Sequence, residues 1–334
     1  MSVKLAVNGF GRIGRAVFKL ALEQNGIDLV AVNDLGDIEN LVYLLKYDSV
    51  YGRYGQGVKV EGSEIVVDED RVAVLSEPDP TKLPWEKMEV DVVIESTGVF
   101  TEEEEARGHI EAGAKHVIIS APTKSEGVPT VVTGVNDKEL KGKEIISNAS
   151  CTTNCAAPVA AVMDNVFGVK KALLTTVHAY TSSQGLVDGP SKKDWRRGRA
   201  AAVNMIPAST GAAIAATRAM PSLEGKFDGV AVRVPLSVVS ISDFSFVLKK
   251  KATVEEINEA FKEAAVNPIY KGVLAVTDEP AVSSDFIGDP HSAIVDLSMT
   301  RAVDGDLVKV MAWYDNEWGY SNRLVEQVLE ISCR

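Results

Sequence analysis

Along the first 150 residues, short continuous apolar runs alternate with longer stretches whose apolar positions follow a helical period. The runs at 4–8, 29–33, 91–95, 116–120 and 144–147 predict buried strands, and the stretches between them, beginning with 15–23, predict helices. Such alternation builds a parallel sheet covered on both faces, so residues 1–150 are expected to form a doubly wound α/β domain. Thr101-Glu102-Glu103-Glu104 reads as a capping box, with acidic side chains in a first helical turn where the dipole favours them.

Past residue 150 the pattern changes. A helix is predicted to about residue 165, a strand over 172–178, and a long polar and basic loop to about 204. Alternating strands at 230–234, 237–248, 292–297 and 307–313, with a helix at 254–265, predict an α+β domain over 151–315 whose sheet is mainly antiparallel. The final helix, 321–331 within the segment 316–334, has a face for either domain and is assigned to the first. No repeat or low-complexity linker marks the boundary, which rests on the change of pattern.

The first strand runs directly into Gly9-Phe10-Gly11-Arg12-Ile13-Gly14 and then a helix, the context in which G-x-G-x-x-G binds a dinucleotide. The glycines allow a tight turn, a close backbone approach to pyrophosphate, and helix packing, while the helix start supplies amides. The second strand ends at Asp34, where such Rossmann-type folds place a carboxylate for the ribose 2′-hydroxyl; it would repel a 2′-phosphate, which favours NAD over NADP. Ser96-Thr97-Gly98 and Ser120-Ala121-Pro122 follow other strand ends and are candidate cofactor contacts.

Composition narrows the class. The chain has 334 residues, 46% hydrophobic and 25% charged, which suits a two-domain globular enzyme. No apolar run reaches the roughly 18 residues of a membrane span. With 35 Lys and Arg against 47 Asp and Glu, the net charge of -12 argues against a general nucleic-acid surface, so any anion site must be local. Three cysteines and no signal-peptide pattern point to a reducing cytoplasm, and the scattered His109, His116, His178 and His291 give no metal-ligand spacing.

The chemistry gathers around Ser147-Asn148-Ala149-Ser150-Cys151-Thr152-Thr153-Asn154-Cys155, which places Cys151 between a strand end and a helix start. Unpaired helix amides there favour thiolate. His178, at the end of its strand, is the candidate partner that holds the thiolate as an ion pair and moves a proton. Cys155, one turn on, reads as a small buried neighbour. Thr181, the cluster Arg196-Arg197-Gly198-Arg199, Ser209-Thr210-Gly211 and Arg233, which lies inside an apolar strand, suit an anionic substrate, with phosphate the natural match.

Together with Asn8-Gly9-Phe10-Gly11-Arg12-Ile13-Gly14, Leu44-Leu45-Lys46-Tyr47-Asp48-Ser49, Ile206-Pro207-Ala208-Ser209-Thr210-Gly211 and Trp313-Tyr314-Asp315-Asn316-Glu317-Trp318-Gly319, the cysteine motif resembles phosphorylating glyceraldehyde-3-phosphate dehydrogenases over essentially the whole chain. The resemblance implies Cys151 as nucleophile and His178 as base. It implies cofactor contacts at Gly9, Gly11, Arg12, Ile13, Asp34, Pro78, Ser120 and Asn316, the last on the nicotinamide amide. Substrate and phosphate contacts are implied at Ser150, Thr152, Thr181, Arg197, Thr210, Gly211 and Arg233. It further implies NAD, glyceraldehyde 3-phosphate and inorganic phosphate as ligands, no metal, and a homotetramer.

The chain departs from the family at Pro78, where arginine is frequent and only a backbone contact remains, at Ser182-Ser183, and at Leu236-Ser237-Val238. Three alternatives are weighed. Erythrose-4-phosphate dehydrogenase shares the cysteine motif but tends to have glutamate where this chain has Asp34. A cysteine hydrolase would not need a nucleotide-binding half. A non-catalytic NAD-binding protein would not need Cys151 and His178.

Overall fold

The computed structural model describes residues 2–191 and 194–332. The chain gathers into two compact units, one of Met1–Val131, Asp137–Ala149 and Ser321–Arg334, the other of Val132–Asn136 and Ser150–Tyr320.

In the first unit, β1 (Val3–Asn8), α1 (Arg12–Glu23) and β2 (Ile27–Asn33) form the first strand–helix–strand step. Next come α2 (Ile38–Lys46), the small hairpin of β3 (Tyr47–Asp48) and β4 (Gly52–Arg53), then β5 (Val58–Glu61), β6 (Glu64–Val67) and β7 (Asp70–Leu75). After these come α3 (Trp85–Met88), β8 (Val92–Glu95), α4 (Glu103–Glu111), β9 (His116–Ile119) and β10 (Ile145–Ser147). They assemble as one eight-stranded sheet in the order β10-β9-β8-β1-β2-β7-β6-β5, parallel from β10 to β7 and antiparallel from β7 to β5. Leu5, Val7, Val32, Val93 and Ile118, at no exposure, form its buried centre.

The antiparallel edge was not read from the sequence, because its strands are only four to six residues long and joined by two-residue turns. Gly62 and Asp68 provide those turns with φ of 63° and 52°. The cap of α4 is also one residue later than the sequence reading put it. Glu105 Oε2 accepts from the amides of Thr101 and Glu102 at 2.9 and 3.1 Å, whereas the Glu102 carboxylate turns to Lys124 N and Ser125 Oγ.

The second unit opens with α5 (Cys151–Phe167), followed by β11 (Val169–Ala179), β12 (Ile206–Ser209), α6 (Ala212–Ala219), β13 (Phe227–Val234), β14 (Ser240–Leu248) and α7 (Val254–Val266). It continues through β15 (Leu274–Thr277), β16 (Ala293–Asp296), β17 (Arg301–Val303) and β18 (Leu307–Tyr314). The sheet order is β12-β13-β11-β14-β18-β16-β15, with β17 added to β18. Only β11–β13 and β15–β16 are parallel pairs, so the sheet is mainly antiparallel.

Helix α5 is buried on nearly every side, with Cys155, Ala156, Val159 and Met163 packed among Phe244, Phe246 and Val310 of the sheet. The opposite sheet face leaves Leu173, Val230 and Leu307 exposed. Helix α8 (Trp318–Ser332) begins three residues before the expected 321, because Asp315 Oδ1 accepts from the amides of Glu317 and Trp318 at 2.9 and 2.8 Å. Residues 333–334 of the expected terminal helix and 192–193 of the expected loop lie outside the described residues.

Candidate active site

The glycine turn shows why its residues must be small. Gly9 has φ +96°, and a Cβ there would lie 2.6 Å from Thr97 N. A Cβ on Gly14 would fall 2.0 Å from Gly9 O, so the third glycine lets α1 close on the turn itself. Gly11 is the N-cap of α1 with no side-chain cap, and nothing lies within 4 Å of where its Cβ would be. The helix therefore starts at Arg12, three residues earlier than read, and its first amides face an open cradle suited to an anion.

A cavity of about 520 Å³ opens at this turn, lined by Asn8, Gly9, Gly11, Asn33, Asp34, Glu77, Pro78, Ser96, Thr97 and Phe100 among others. It lies at the carboxyl edge of the parallel strands, the position such sheets use for ligands. Asp34 Oδ2 accepts from Phe10 N at 2.7 Å and Oδ1 from Gly36 N at 2.8 Å, so the carboxylate ties the end of β2 to the glycine turn. Its remaining lone pairs stay available to ribose hydroxyls.

Of the cofactor residues expected from sequence, Gly9, Gly11, Asp34 and Pro78 meet in this cavity. Arg12, Ile13 and Ser120 are not among its lining residues; Arg12 Nη1 pairs with Asp48 Oδ2 at 2.8 Å, and Ser120 N donates to Glu95 O at 2.9 Å. The sequence reading passed over Asn33 and Glu77. Asn33 holds Glu77 from both sides, donating to its carbonyl and accepting from its amide at 2.9 Å each, which sets the segment entering Pro78. The signal available was an asparagine ending a buried strand.

Ala149, the last residue of its segment in the first unit, has φ 54° and turns the chain into Ser150 of the second unit, the N-cap of α5, whose Oγ accepts from Thr153 N at 3.1 Å. Cys151 is then the first helical residue, and its Sγ lies 3.5 Å from His178 Nε2. His178 Nδ1 is 2.7 Å from Ala179 O. Of the two neighbours of Nδ1, the Ala179 carbonyl at 2.7 Å can only accept and Arg233 Nη1 at 2.9 Å can only donate; with the nearer carbonyl as partner, Nδ1 carries the hydrogen and Nε2 presents its lone pair to the thiol.

Arg233 is the register partner of His178 across the β11–β13 pair. Its Nη1 donates to Ala179 O at 2.9 Å and stands 2.9 Å from His178 Nδ1. Its charge inside the apolar strand thus rests on a backbone carbonyl. Burial, helped by the Arg233 guanidinium, pushes His178 down to about 3. Burial likewise pushes the Cys151 thiol up, opposed by Arg233, the Thr152 hydroxyl and the first helical amides. Both directions favour thiol and neutral imidazole over the ion pair, since burial is the leading cause at each group and the helix amides oppose it at the sulfur.

Tyr314 closes the floor. Its ring meets the His178 ring edge-on at 6.0 Å, and its Oη lies 2.9 Å from Thr152 Oγ1 and 2.8 Å from Thr176 Oγ1, all buried. The Thr152 side chain thus faces inward. Thr181 Oγ1 pairs with Ser183 Oγ at 2.9 Å, and Arg197 Nη2 reaches Ser209 O at 3.3 Å close enough for its charge to act on His178 and Arg233. Thr210 Oγ1 accepts from Ala212 N at 3.1 Å beside Gly211, the N-cap of α6.

Asn316 belongs to this unit as well. Val239, at φ 65° and nearly fully buried, presents Ser240, whose Oγ accepts from Ala179 N at 3.1 Å and donates to Asn316 Oδ1 at 3.0 Å. That leaves the Asn316 amide nitrogen as the donor for a ligand. A larger cavity of about 680 Å³, lined by Leu173, Ile214, Phe227 and Leu307, includes none of these groups. Among the described residues, no cluster of three or more His, Cys, Asp or Glu is placed to hold a metal.

Comparison with known proteins places this geometry. The model of the glyceraldehyde 3-phosphate dehydrogenase NAD binding domain matches residues 3–103, and that of the same family's C-terminal domain matches residues 150–316. The chain belongs to the glyceraldehyde 3-phosphate dehydrogenase family. The glyceraldehyde-3-phosphate dehydrogenase of Bacteroides fragilis is 50% identical over 334 residues, covering 99% of this chain and 100% of that protein. Those of Mycobacterium avium and Kluyveromyces lactis are 52% and 49% identical, covering 98% and 99% of this chain and 98% and 100% of theirs. As a member of the glyceraldehyde 3-phosphate dehydrogenase family the chain takes NAD as its cofactor, and the open glycine cradle and the Asp34 carboxylate fit that molecule.

Proposed function

We propose that this chain oxidises D-glyceraldehyde 3-phosphate with NAD and inorganic phosphate, giving 1,3-bisphosphoglycerate and NADH, with Cys151 as nucleophile and His178 as base. The observation that carries the reading is the Cys151 Sγ at 3.5 Å from His178 Nε2, at the start of α5 and beside Arg233.

Starting from the neutral pair, His178 Nε2 takes the thiol proton as sulfur attacks the aldehyde carbon, and returns it to the carbonyl oxygen. The thiohemiacetal on Cys151 then carries a hydroxyl within reach of His178, which removes its proton as the carbon is oxidised. NAD, when bound, supplies the hydride acceptor. The product is an acyl thioester on Cys151. A phosphate oxygen attacks that carbonyl carbon, the C–S bond breaks, and the sulfur is released as the leaving group. Ser150 and the amides at the start of α5 bind the developing oxyanion.

Thr181 and Arg233 are assigned to the substrate's phosphate, and Ser150, Thr152, Thr210 and Gly211, with Arg197, to the aldehyde end and the attacking phosphate. Since the Thr152 hydroxyl is shared between Tyr314 and the Cys151 sulfur, its contribution to the substrate is its backbone amide. Gly9, Gly11, Arg12, Ile13, Asp34, Pro78, Ser120 and Asn316 are assigned to NAD. Residues 1–150 with the terminal helix serve as the NAD-binding domain and 151–315 as the catalytic domain. A homotetramer in the cytoplasm is the proposed working state; the exposed Leu173, Val230 and Leu307 on one face of the second sheet support association between copies.

The test is NADH formation from glyceraldehyde 3-phosphate and from erythrose 4-phosphate, each with and without inorganic phosphate. Phosphate-dependent oxidation of the triose is expected. Preference for the tetrose, or oxidation indifferent to phosphate, would overturn the reading.

A further inference from the structure

The cofactor cavity stands on a buried polar row that the reaction does not use. Register places Asn33 beside Asn8 across β2–β1 and Asn8 beside Glu95 across β1–β8, three polar residues side by side at the carboxyl edge of the sheet. Asn33 Nδ2 donates to Asn8 Oδ1 at 2.7 Å, and Asn8 Nδ2 donates to Glu95 Oε2 at 2.5 Å. Glu95 is 1% exposed, yet its oxygens meet four donors. Oε2 also faces His109 Nε2 at 3.2 Å, and Oε1 accepts from Thr97 N at 2.8 Å and from Thr97 Oγ1.

Behind the carboxylate the order of hydrogens is determined. Trp85 Nε1 can only donate, and it lies 3.1 Å from His109 Nδ1, so Nδ1 accepts and Nε2–H points to Glu95. Trp85 and His109 are both at 0% exposure. Burying a carboxylate is unfavourable unless it is fully hydrogen-bonded, and an apolar residue would fill this row more cheaply. What the carboxylate does achieve is to hold Asn8 and Thr97, and through Asn8 also Asn33, all three in the cavity wall. Phe100, another wall residue, rests its ring edge-on against His109 at 6.4 Å.

We propose that Glu95 is the positioning residue of the cofactor cavity: its carboxylate, oriented by His109 and Trp85, holds the walls on either side of the glycine turn in the geometry that binds NAD. The proposal rests on the reading of that cavity as the NAD site.

Glu95→Gln tests it at constant volume, because an amide keeps one acceptor oxygen and turns two hydrogens toward donors, so either Asn8 and His109 or Thr97 lose their partner. The full chain is titrated with NAD by calorimetry, alongside KM for NAD, kcat, and the rate at which iodoacetamide alkylates Cys151 without NAD. Both Kd and KM for NAD are expected to rise about tenfold or more, with kcat at saturating NAD and the alkylation rate little changed. A folded variant with lowered thermal midpoint and unchanged Kd would make the row merely structural and overturn the proposal. Should Glu95→Gln not fold, His109→Phe, which removes only the carboxylate's inner donor, is read the same way: a several-fold rise in Kd supports the proposal and an unchanged Kd overturns it. If the unaltered chain bound no NAD, the assignment of the cavity would fail first.

Discussion

Replacing Tyr314 by Phe removes one oxygen from the floor of the second unit and nothing else. Its phenol is held neutral by burial and stands between Thr152 Oγ1 at 2.9 Å and Thr176 Oγ1 at 2.8 Å. Both threonines are nearly fully buried, 4% and 1% exposed, so water cannot replace the lost partner. Thr152 keeps the Cys151 sulfur as a neighbour, so Thr176 is the hydroxyl left orphaned, which costs about 1–3 kcal/mol with no cavity term because the ring volume is kept. Native-state hydrogen exchange at the β11 and β18 amides reads this loss where it occurs. The double variant with Thr176→Val should lose less than the sum of the two single changes, since the valine leaves no hydroxyl orphaned there. A loss under about 1 kcal/mol with additive double-variant energetics would refute the reasoning.

Four other outcomes follow from the geometry. Gly14→Ala sets a Cβ 2.0 Å from Gly9 O, so α1 must move off the turn; NAD affinity should fall by at least about tenfold in a calorimetric titration. Asp34→Ala deletes the ribose acceptor and both amide bonds to the turn, so the ratio of NAD to NADP rates should drop, and a preserved ratio would remove Asp34 from cofactor choice. Cys151→Ser should abolish turnover while calorimetry still detects NAD binding; comparable activity would exclude the thioester route. Acid should destabilise the second unit through His178: its folded pKa of about 3 is below the unfolded 6.5, so this contribution is intact above pH 6.5 and falls by about 1.4 kcal/mol per pH unit between 6.5 and 3. His178→Asn should flatten the acid limb of a urea midpoint against pH, and an unchanged slope would count against a buried neutral imidazole.

Much of the fold was legible because burial on both faces leaves continuous apolar runs. The strands at 4–8, 29–33, 91–95 and 116–120 fall within a residue or two of β1, β2, β8 and β9. The edge hairpins at 58–75 were not, since each strand is only four to six residues long and their antiparallel pairing defines them. The starts of α1 and α8 were misplaced because the residues that set them lie in segments that read as turns. Gly11 caps α1 without a side chain, and Asp315 caps α8 from inside a segment that reads as a turn.

By itself the sequence determined that a dinucleotide turn precedes a cysteine placed at a helix start, because both depend on residue type at short spacing. It also pointed to His178 as the partner of Cys151 and to Arg233 as a contact for an anionic substrate, but only as candidates. Their pairing depends on tertiary structure, since 27 and 55 residues separate His178 from Cys151 and from Arg233, and only the α5–β11 packing and the β11–β13 register bring the three together. The burial that opposes charge on the pair arises there as well. Helix amides alone favour thiolate, whereas a site this buried favours thiol and neutral imidazole, because desolvation depends on everything packed around a charge and no local spacing encodes it.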